Sequence, residues 1–213
     1  MNKKELIKKL EDRGIRKEIL EVMGKVDRKD FISEGNSDEV YEDHPLSIGY
    51  GQTISQPYTV AFMLQELELK KGDKVLEIGT GSGWNAALIS GIIGEKGKIY
   101  SAEIVKELAE KAKEKLKNYK NIVVLNTDAS YGLAEYAPYN KIILTAAPNK
   151  IAEEFKEQLA DEGILLAPVG EYAQKLIKLT KRKNKFIEME KGDFLFVPLV
   201  NGTGNHTNFT PLS

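Results

Sequence analysis

Lys74-Val75-Leu76-Glu77-Ile78-Gly79-Thr80-Gly81-Ser82-Gly83 decides the fold. Val75, Leu76 and Ile78 make a short apolar run of the kind a buried strand needs. The three alternate glycines that follow lead into a helix. Glycine lets the backbone turn tightly and approach a ligand closely. The start of a helix offers backbone N–H groups that have no partner within it. Strand, glycine turn and helix together predict a ligand site at the carboxyl end of a strand.

Outward from this segment the chain alternates strand and helix. Residues 74–78, 98–103, 122–125, 141–145 and 164–169 read as strands. Val105, Leu108, Ala109, Ala112 and Leu116 form a helical stripe between the second and third, and Ile151, Phe155 and Leu159 form another before the last. Such alternation predicts a mostly parallel sheet with helices on both faces. Residues 175–180, 186–189 and 194–199 are strand-like with no helix between them, and they predict hairpin additions at one sheet edge. Upstream, residues 1–34 read as helical, with Leu6, Ile7 and Leu10 before Gly14 and Ile19, Leu20, Val22 and Met23 before Gly24. Residues 35–56 carry Gly35, Pro45, Gly49 and Gly51 and read as a structured loop region. A helix starts near Pro57, with Ser55 or Gln56 at its edge and Val60, Met63, Leu64 and Leu67 at helical spacing. The division is residues 1–56 for helices and a substrate-side loop, 57–200 for the core and 201–213 for a tail, in one compact domain.

Composition narrows the function. A chain of 213 residues suffices for one α/β domain with a sizeable core. Apolar residues at 41% and charged residues at 30% are ordinary for a folded protein. A net charge of −1 gives nucleic acid no electrostatic support. The absence of cysteine excludes disulfides, thiolate metal sites and a cysteine nucleophile. The two histidines, His44 and His206, sit in no nucleophile or metal motif, so no metal is expected. The N-terminus has no apolar signal core and no apolar run reaches a membrane span, so a cytoplasmic protein is expected. The Asn-x-Thr triplets beginning at Asn201, Asn205 and Asn208 are then chance matches. Abundant Lys and Glu without Cys suit a heat-adapted protein.

Two cofactor classes fit the glycine turn. Gly81-x-Gly83-x-x-Ala86 matches a dinucleotide fingerprint, and Glu103, 20 residues beyond Gly83, can accept from ribose hydroxyls. NAD and S-adenosylmethionine both carry that ribose. Glu77 tilts the choice, because an acid just before the glycines would repel a pyrophosphate. It suits a phosphate-free cofactor with cationic amino and sulfonium groups. The late hairpin strands agree. The fold expected is α/β, Rossmann-like and doubly wound. Its mostly parallel seven-stranded sheet is of the S-adenosylmethionine-dependent methyltransferase type, with N-terminal helices and a C-terminal antiparallel hairpin. Asp128-Ala129 follows the third strand and is placed near the adenine, with Asp128 accepting from the exocyclic amine. An ordinary turn aspartate is the alternative.

Further segments carry a resemblance. They are Tyr41-Glu42-Asp43-His44-Pro45-Leu46, Ile48-Gly49-Tyr50-Gly51-Gln52-Thr53-Ile54-Ser55-Gln56-Pro57, Val75 to Trp84, Thr145-Ala146-Ala147-Pro148, Ala167-Pro168-Val169-Gly170 and Phe196-Val197-Pro198-Leu199. From about Arg28 to Val200 the chain resembles the protein-L-isoaspartate (D-aspartate) O-methyltransferase family. The Gly-Gln-Thr-Ile-Ser-x-Pro segment is far more specific than the glycine loop. The resemblance implies methyl transfer from S-adenosylmethionine to the α-carboxylate of L-isoaspartyl and D-aspartyl residues in damaged proteins. The ester then cyclises to a succinimide whose hydrolysis returns some aspartate, and S-adenosylhomocysteine is the cofactor product.

The resemblance makes Ser55 the active-site residue, with Thr53 beside it; capping of the helix at Pro57 is the other role open to Ser55. Cofactor contacts are expected from Gln52, Thr53, Ile54, Ser55, Glu77, Gly79, Thr80, Gly81, Ser82, Gly83, Glu103, Asp128, Ala129 and Thr145. The expected partners are damaged proteins, with no nucleic acid and no membrane, and the enzyme is expected to be a monomer. Ala129 stands where many members have glycine, Tyr58 where the family often has histidine, and the tail 201–213 has no counterpart. The loop at 35–56 is expected to move over substrate. The alternatives are the same cofactor with RNA or a small molecule as acceptor, an NAD-dependent dehydrogenase, and a non-enzymatic binding module.

Overall fold

The computed structural model describes residues 1–32, 38–183 and 185–202. Its centre is β3 (Lys74–Ile78), whose side chains alternate between the sheet's two faces. Val75 joins one apolar cluster, and Leu76 and Ile78 join the other. Parallel ladders tie β3 to β4 (Lys98–Glu103) on one side and to β6 (Tyr139–Leu144) on the other. β5 (Ile122–Asn126) extends the sheet beyond β4, and β7 (Leu159–Val169) extends it beyond β6, both parallel. β8 (Lys175–Arg182) and β9 (Lys185–Asp193) follow as antiparallel strands. The order is β5-β4-β3-β6-β7-β8-β9, the expected mostly parallel seven-stranded sheet ending in a hairpin. The chain runs outward from β3 to β5 and then returns to the other side of β3. That reversal opens a crevice at the carboxyl ends of β3 and β6.

Helices cover both faces. α4 (Trp84–Ile93) leaves the glycine turn and is buried over nearly its whole length. It is apolar all round because the sheet lies on one side and α2 (Lys17–Lys25) on the other. The two helices meet closely at Gly91, where a Cβ would lie 2.8 Å from Val22 Cγ1. α1 (Lys3–Asp12) starts with a capping box, in which the Asn2 side chain accepts from Lys4 and Glu5 while Glu5 accepts from the Asn2 N–H. α3 (Pro57–Glu66) carries proline in its first turn. α5 (Lys106–Leu116) buries Leu108, Ala109, Ala112 and Leu116 of the expected stripe, and Val105, the stripe's first residue, is its half-buried N-cap. α6 (Glu153–Gln158) places Phe155 in the cluster on the opposite face. Among the described residues no helix is long and apolar enough to cross a membrane.

Two segments depart from the sequence reading. Residues 194–199 are not a strand of the sheet. Gly192, at φ +112, turns the chain at the end of β9, and Pro198 has no N–H to give a ladder. The segment becomes a strap across the carboxyl ends of the strands. Ala147 N–H donates to the Val197 carbonyl at 2.8 Å, and Leu199 N–H donates to the Ala147 carbonyl at 2.8 Å. Gln174 holds the strap's other side through the N–H and carbonyl of Phe196, at 2.7 and 3.0 Å. Second, the region at 35–56 contains an antiparallel hairpin, β1 (Leu46–Gly49) and β2 (Gln52–Ile54), with Leu46 opposite Ile54. Residues 35–37 of that region, His206, and the triplets at Asn205 and Asn208 lie outside the described residues.

The α2–α4 contact yields a stability prediction. Gly91→Ala gains about 1 kcal/mol of helix propensity. The added methyl must push Val22, a stiff β-branched side chain, away from α4. A net loss of about 1–2 kcal/mol is expected, visible as a lower thermal midpoint. A raised midpoint would show that the helices are not tightly apposed.

Candidate active site

A cavity of about 630 Å³ opens at the carboxyl ends of β3, β4 and β6, within the usual range for small-molecule sites. Gly79, Gly81 and Gly83 all have positive φ, at +95, +52 and +88. Gly79 has a further reason to be glycine: a Cβ there would lie 2.4 Å from Thr145 Oγ1. The Thr145 hydroxyl donates to the Gly79 carbonyl at 2.6 Å and so fixes the loop against the end of β6. Gly79, Thr80, Gly81, Ser82 and Thr145 line the cavity. Gly83 does not; it is the left-handed N-cap of α4 and packs against Leu116.

Glu103 ends β4 and is 5% exposed, yet its carboxylate reaches the cavity wall. One oxygen accepts the Gly81 N–H at 2.8 Å and the other the Val105 N–H at 3.0 Å. Each carboxylate oxygen can accept a second bond, so the residue can hold the loop and a ligand hydroxyl together. Asp128 and Ala129 also line the cavity. Asp128 accepts from Ser130 N–H at 2.9 Å and from Gly202 N–H at 2.7 Å. Burial pushes its carboxyl up, but those backbone donors outweigh it and leave the pKa below the ordinary aspartate value.

Glu77 occupies a different place from the other acids. It points from β3 to the face under α4, has no exposed surface and does not line the cavity. Asn85 Nδ2 donates to one of its oxygens at 2.7 Å, and the Ser101 hydroxyl donates to the other. Ser101 lies opposite Glu77 in the β3–β4 ladder, and the Thr80 hydroxyl is 2.6 Å from it. Since the Ser101 proton goes to Glu77, Thr80 is the donor of that second bond. Asn85 and Thr80 both reach the cavity wall, so Glu77 braces the loop from behind. Among the described residues no cluster of His, Asp or Glu could hold a metal.

The remaining wall comes from Gln52, Thr53, Ile54 and Ser55. Ser55 is not the cap of α3. The cap position belongs to Gln56, which makes no side-chain cap bond, and Asp43 Oδ1 instead accepts the Tyr58 N–H of the first turn at 2.9 Å. Ser55 is thus left on the cavity wall. A model of the protein-L-isoaspartate (D-aspartate) O-methyltransferase family matches residues 1–204. This chain belongs to that family.

Relatives of the family lie close by. The protein-L-isoaspartate O-methyltransferase of Thermosipho melanesiensis is 46% identical over 190 residues, covering 88% of this chain and 96% of that protein. The one from Methanosarcina mazei is 45% identical over 205 residues, covering 95% of this chain and 84% of that protein. The fold is similar to that of a Plasmodium falciparum family member crystallised with S-adenosyl-L-homocysteine. That match has TM-score 0.84 at 28% identity and covers 94% of this chain and 99% of that one.

Among the family's departures, Ala129 adds a buried methyl to the cavity wall. Tyr58 is off that wall; its ring stacks on Phe62 and takes the Arg13 guanidinium 3.2 Å from its centroid. Three features of the site were not placed there by the sequence reading, although Phe196 to Leu199 carried part of the resemblance. Arg28 donates to the Ile54 and Ser55 carbonyls at 3.4 and 3.2 Å. Asn85 joins Glu77 to the wall, and the strap residues Phe196 to Val200 roof it. The Arg28 and strap contacts join residues far apart in the chain, and the Asn85–Glu77 bond joins a helix to the strand before it.

Two predictions follow from this geometry. Gly79→Ala must displace Thr145 and strain a left-handed position, so a loss of about 2 kcal/mol is expected together with at least about tenfold weaker S-adenosylhomocysteine binding by calorimetry. Unaltered binding would show that the loop does not form the cofactor wall. Burial pushes the Glu77 carboxyl up to about 7, against the hydrogen bonds from Ser101 and Asn85 and with help from the Glu103 charge. The folded state therefore holds this proton more tightly than the unfolded state. Its stabilising effect is complete below about pH 4.5 and is lost as pH rises through about 7. Denaturant midpoints of wild type relative to Glu77→Gln should fall over that window; parallel pH profiles would contradict the assignment.

Proposed function

We propose that the chain transfers a methyl group from S-adenosylmethionine to the α-carboxylate of L-isoaspartyl and D-aspartyl residues in damaged proteins. The observation that carries the reading is that Thr53 and Ser55 share one cavity with the Gly79–Ser82 loop and Glu103. The cofactor suits the charges present. Glu103, Glu107 and Asp128 line the cavity against one lysine, Lys106, a setting hostile to a pyrophosphate and favourable to a cation. That balance also speaks against an NAD-dependent dehydrogenase.

S-adenosylmethionine, when bound, supplies a methyl group on a sulfonium sulfur and leaves as S-adenosylhomocysteine. Glu103 would hold its ribose hydroxyls, Asp128 its adenine amine, and Gln52 to Ser55 its opposite side. Glu77 would act through Asn85 rather than by direct contact. The acceptor carboxylate is already ionised at neutral pH, so no strong general base is needed. The hydroxyls of Ser55 and Thr53 donate to carboxylate oxygens and fix one of them for in-line attack. Ile54, Val60, Met63 and Phe196 give the cavity apolar walls that limit water. The backbone amide nitrogen of the linkage then attacks the ester carbonyl and expels methanol, closing a succinimide without further help from the enzyme. We further propose that the enzyme works as a cytoplasmic monomer on protein acceptors, without a nucleic-acid or membrane partner; the net charge of −1 supports the absence of nucleic acid.

Labelled S-adenosylmethionine with paired isoaspartyl and aspartyl peptides tests the reading. Label should enter the isoaspartyl peptide alone, and equal or absent labelling of the pair would overturn it. Ser55→Ala should lower kcat by about 100-fold, the usual loss of one aligning donor, while KM for the cofactor stays within about threefold. A variant of wild-type activity would return Ser55 to a purely structural role.

A further inference from the structure

We propose that Tyr50 is a cofactor-retaining residue, its ring closing the cavity at the tip of the β1–β2 turn where Lys111 of α5 holds it. The inference rests on the reading of the cavity as the S-adenosylmethionine site. Tyr50 stands at φ +57 between Gly49 at +89 and Gly51 at +69. A two-residue hairpin loop with positive φ at both positions favours Asn or Gly at the first of them. A bulky aromatic there costs free energy that the turn itself does not require. Nor does the core require it, since Tyr50 is 54% exposed. A strained, exposed aromatic points to a function outside folding.

Its surroundings indicate which function. Tyr50 lines the cavity, as do Lys106 and Glu107 at the start of α5. One turn beyond Glu107, the Lys111 ammonium lies 5.6 Å from the Tyr50 ring centroid. The ring thus bridges the hairpin and the helix that follows Glu103, the ribose-binding acid. The hairpin is seated on the donor loop as well, with Ile48 Cδ1 3.5 Å from where a Gly81 Cβ would be. A flat ring so placed covers the nucleoside side of the site, where it blocks exit and sheds water. Lys111 is a positioning residue that acts through the ring by a cation–π contact.

The test is stopped-flow release of S-adenosylhomocysteine from the full chain, paired with single-turnover methylation of an isoaspartyl peptide. Tyr50→Asn keeps a residue that tolerates the left-handed turn and removes the ring. It should release product about tenfold faster and raise KM for S-adenosylmethionine by a similar factor. Its single-turnover rate at saturating cofactor should stay within about twofold of wild type, and its thermal midpoint should be unchanged or higher. Tyr50→Phe should match wild type, and Lys111→Met should fall between, at about two- to threefold faster release. Tyr50→Gly, which relieves the backbone most, is the second variant and should release product as fast as Tyr50→Asn. Unchanged release in both ring-free variants, or an equal fall in the single-turnover rate, overturns the retaining role while leaving the cofactor reading intact. A wild-type chain that binds no S-adenosylhomocysteine overturns both.

Discussion

A guanidinium buried without a bonded carboxylate holds the two halves of the site together. Arg28 is 2% exposed, and five backbone carbonyls surround its terminal nitrogens, those of Val40, Glu42, His44, Ile54 and Ser55. Burial lowers its pKa to about 10 and the nearby Asp43 pushes it back up, so the side chain stays charged at neutral pH. A buried cation is costly unless its donors are met, and only the Nε–H lacks an acceptor. The reverse also holds: the carbonyls cannot move apart without exposing that cost. The stretch at 40–44 and the cavity-wall segment ending at Ser55 therefore behave as one piece. Trp84 faces the same cation at 5.6 Å and donates from its indole to the Val26 carbonyl. Since Trp84 opens α4 directly after the glycine loop, the cavity wall at Ile54 and Ser55 and the glycine loop are referenced to one another through Arg28.

The glycine loop obeys a matching constraint. Three glycines in left-handed conformations cannot hold a shape unaided, and the loop is fixed at its first and middle glycines by side chains from neighbouring strands. Thr145 of the β6 end takes the Gly79 carbonyl, and Glu103 of β4 takes the Gly81 N–H. Behind the loop, Glu77 gathers Asn85 and the Ser101–Thr80 pair. A carboxyl with a pKa near 7 in this position is the sign of an acid kept for its bonds at the expense of its charge.

Legibility in the sequence followed interaction range. The strand–glycine–helix unit and the parallel strands were readable because buried strands must be apolar and helical stripes recur at fixed spacing. The strap at 194–199 misled because Phe194, Phe196, Val197 and Leu199 have strand composition. Its partners, Ala147 and Gln174, are residues that no periodicity links to it. Glu77 was legible as unusual, but its orientation depended on which sheet face residue 77 occupies, and burial on both faces hides that parity. Arg28 gave no local signal, because its acceptors are main-chain carbonyls whose identity the sequence does not record. A capping role for Ser55 stayed open until Asp43, 12 residues earlier, proved to satisfy the first turn of α3.

The enzyme converts the free α-carboxylate beside a stable isopeptide linkage into a reactive methyl ester. Alignment of an already charged carboxylate needs no strong base, and the cavity accordingly offers hydroxyls, backbone groups and apolar walls. The most direct test follows an isoaspartyl peptide through repeated turnover, with chromatography resolving succinimide, isoaspartyl and aspartyl forms. With S-adenosylmethionine present, succinimide should appear first and the normal aspartyl peptide should then accumulate, while without it the isoaspartyl form should persist. Cofactor consumption with no gain of aspartyl peptide would contradict the account.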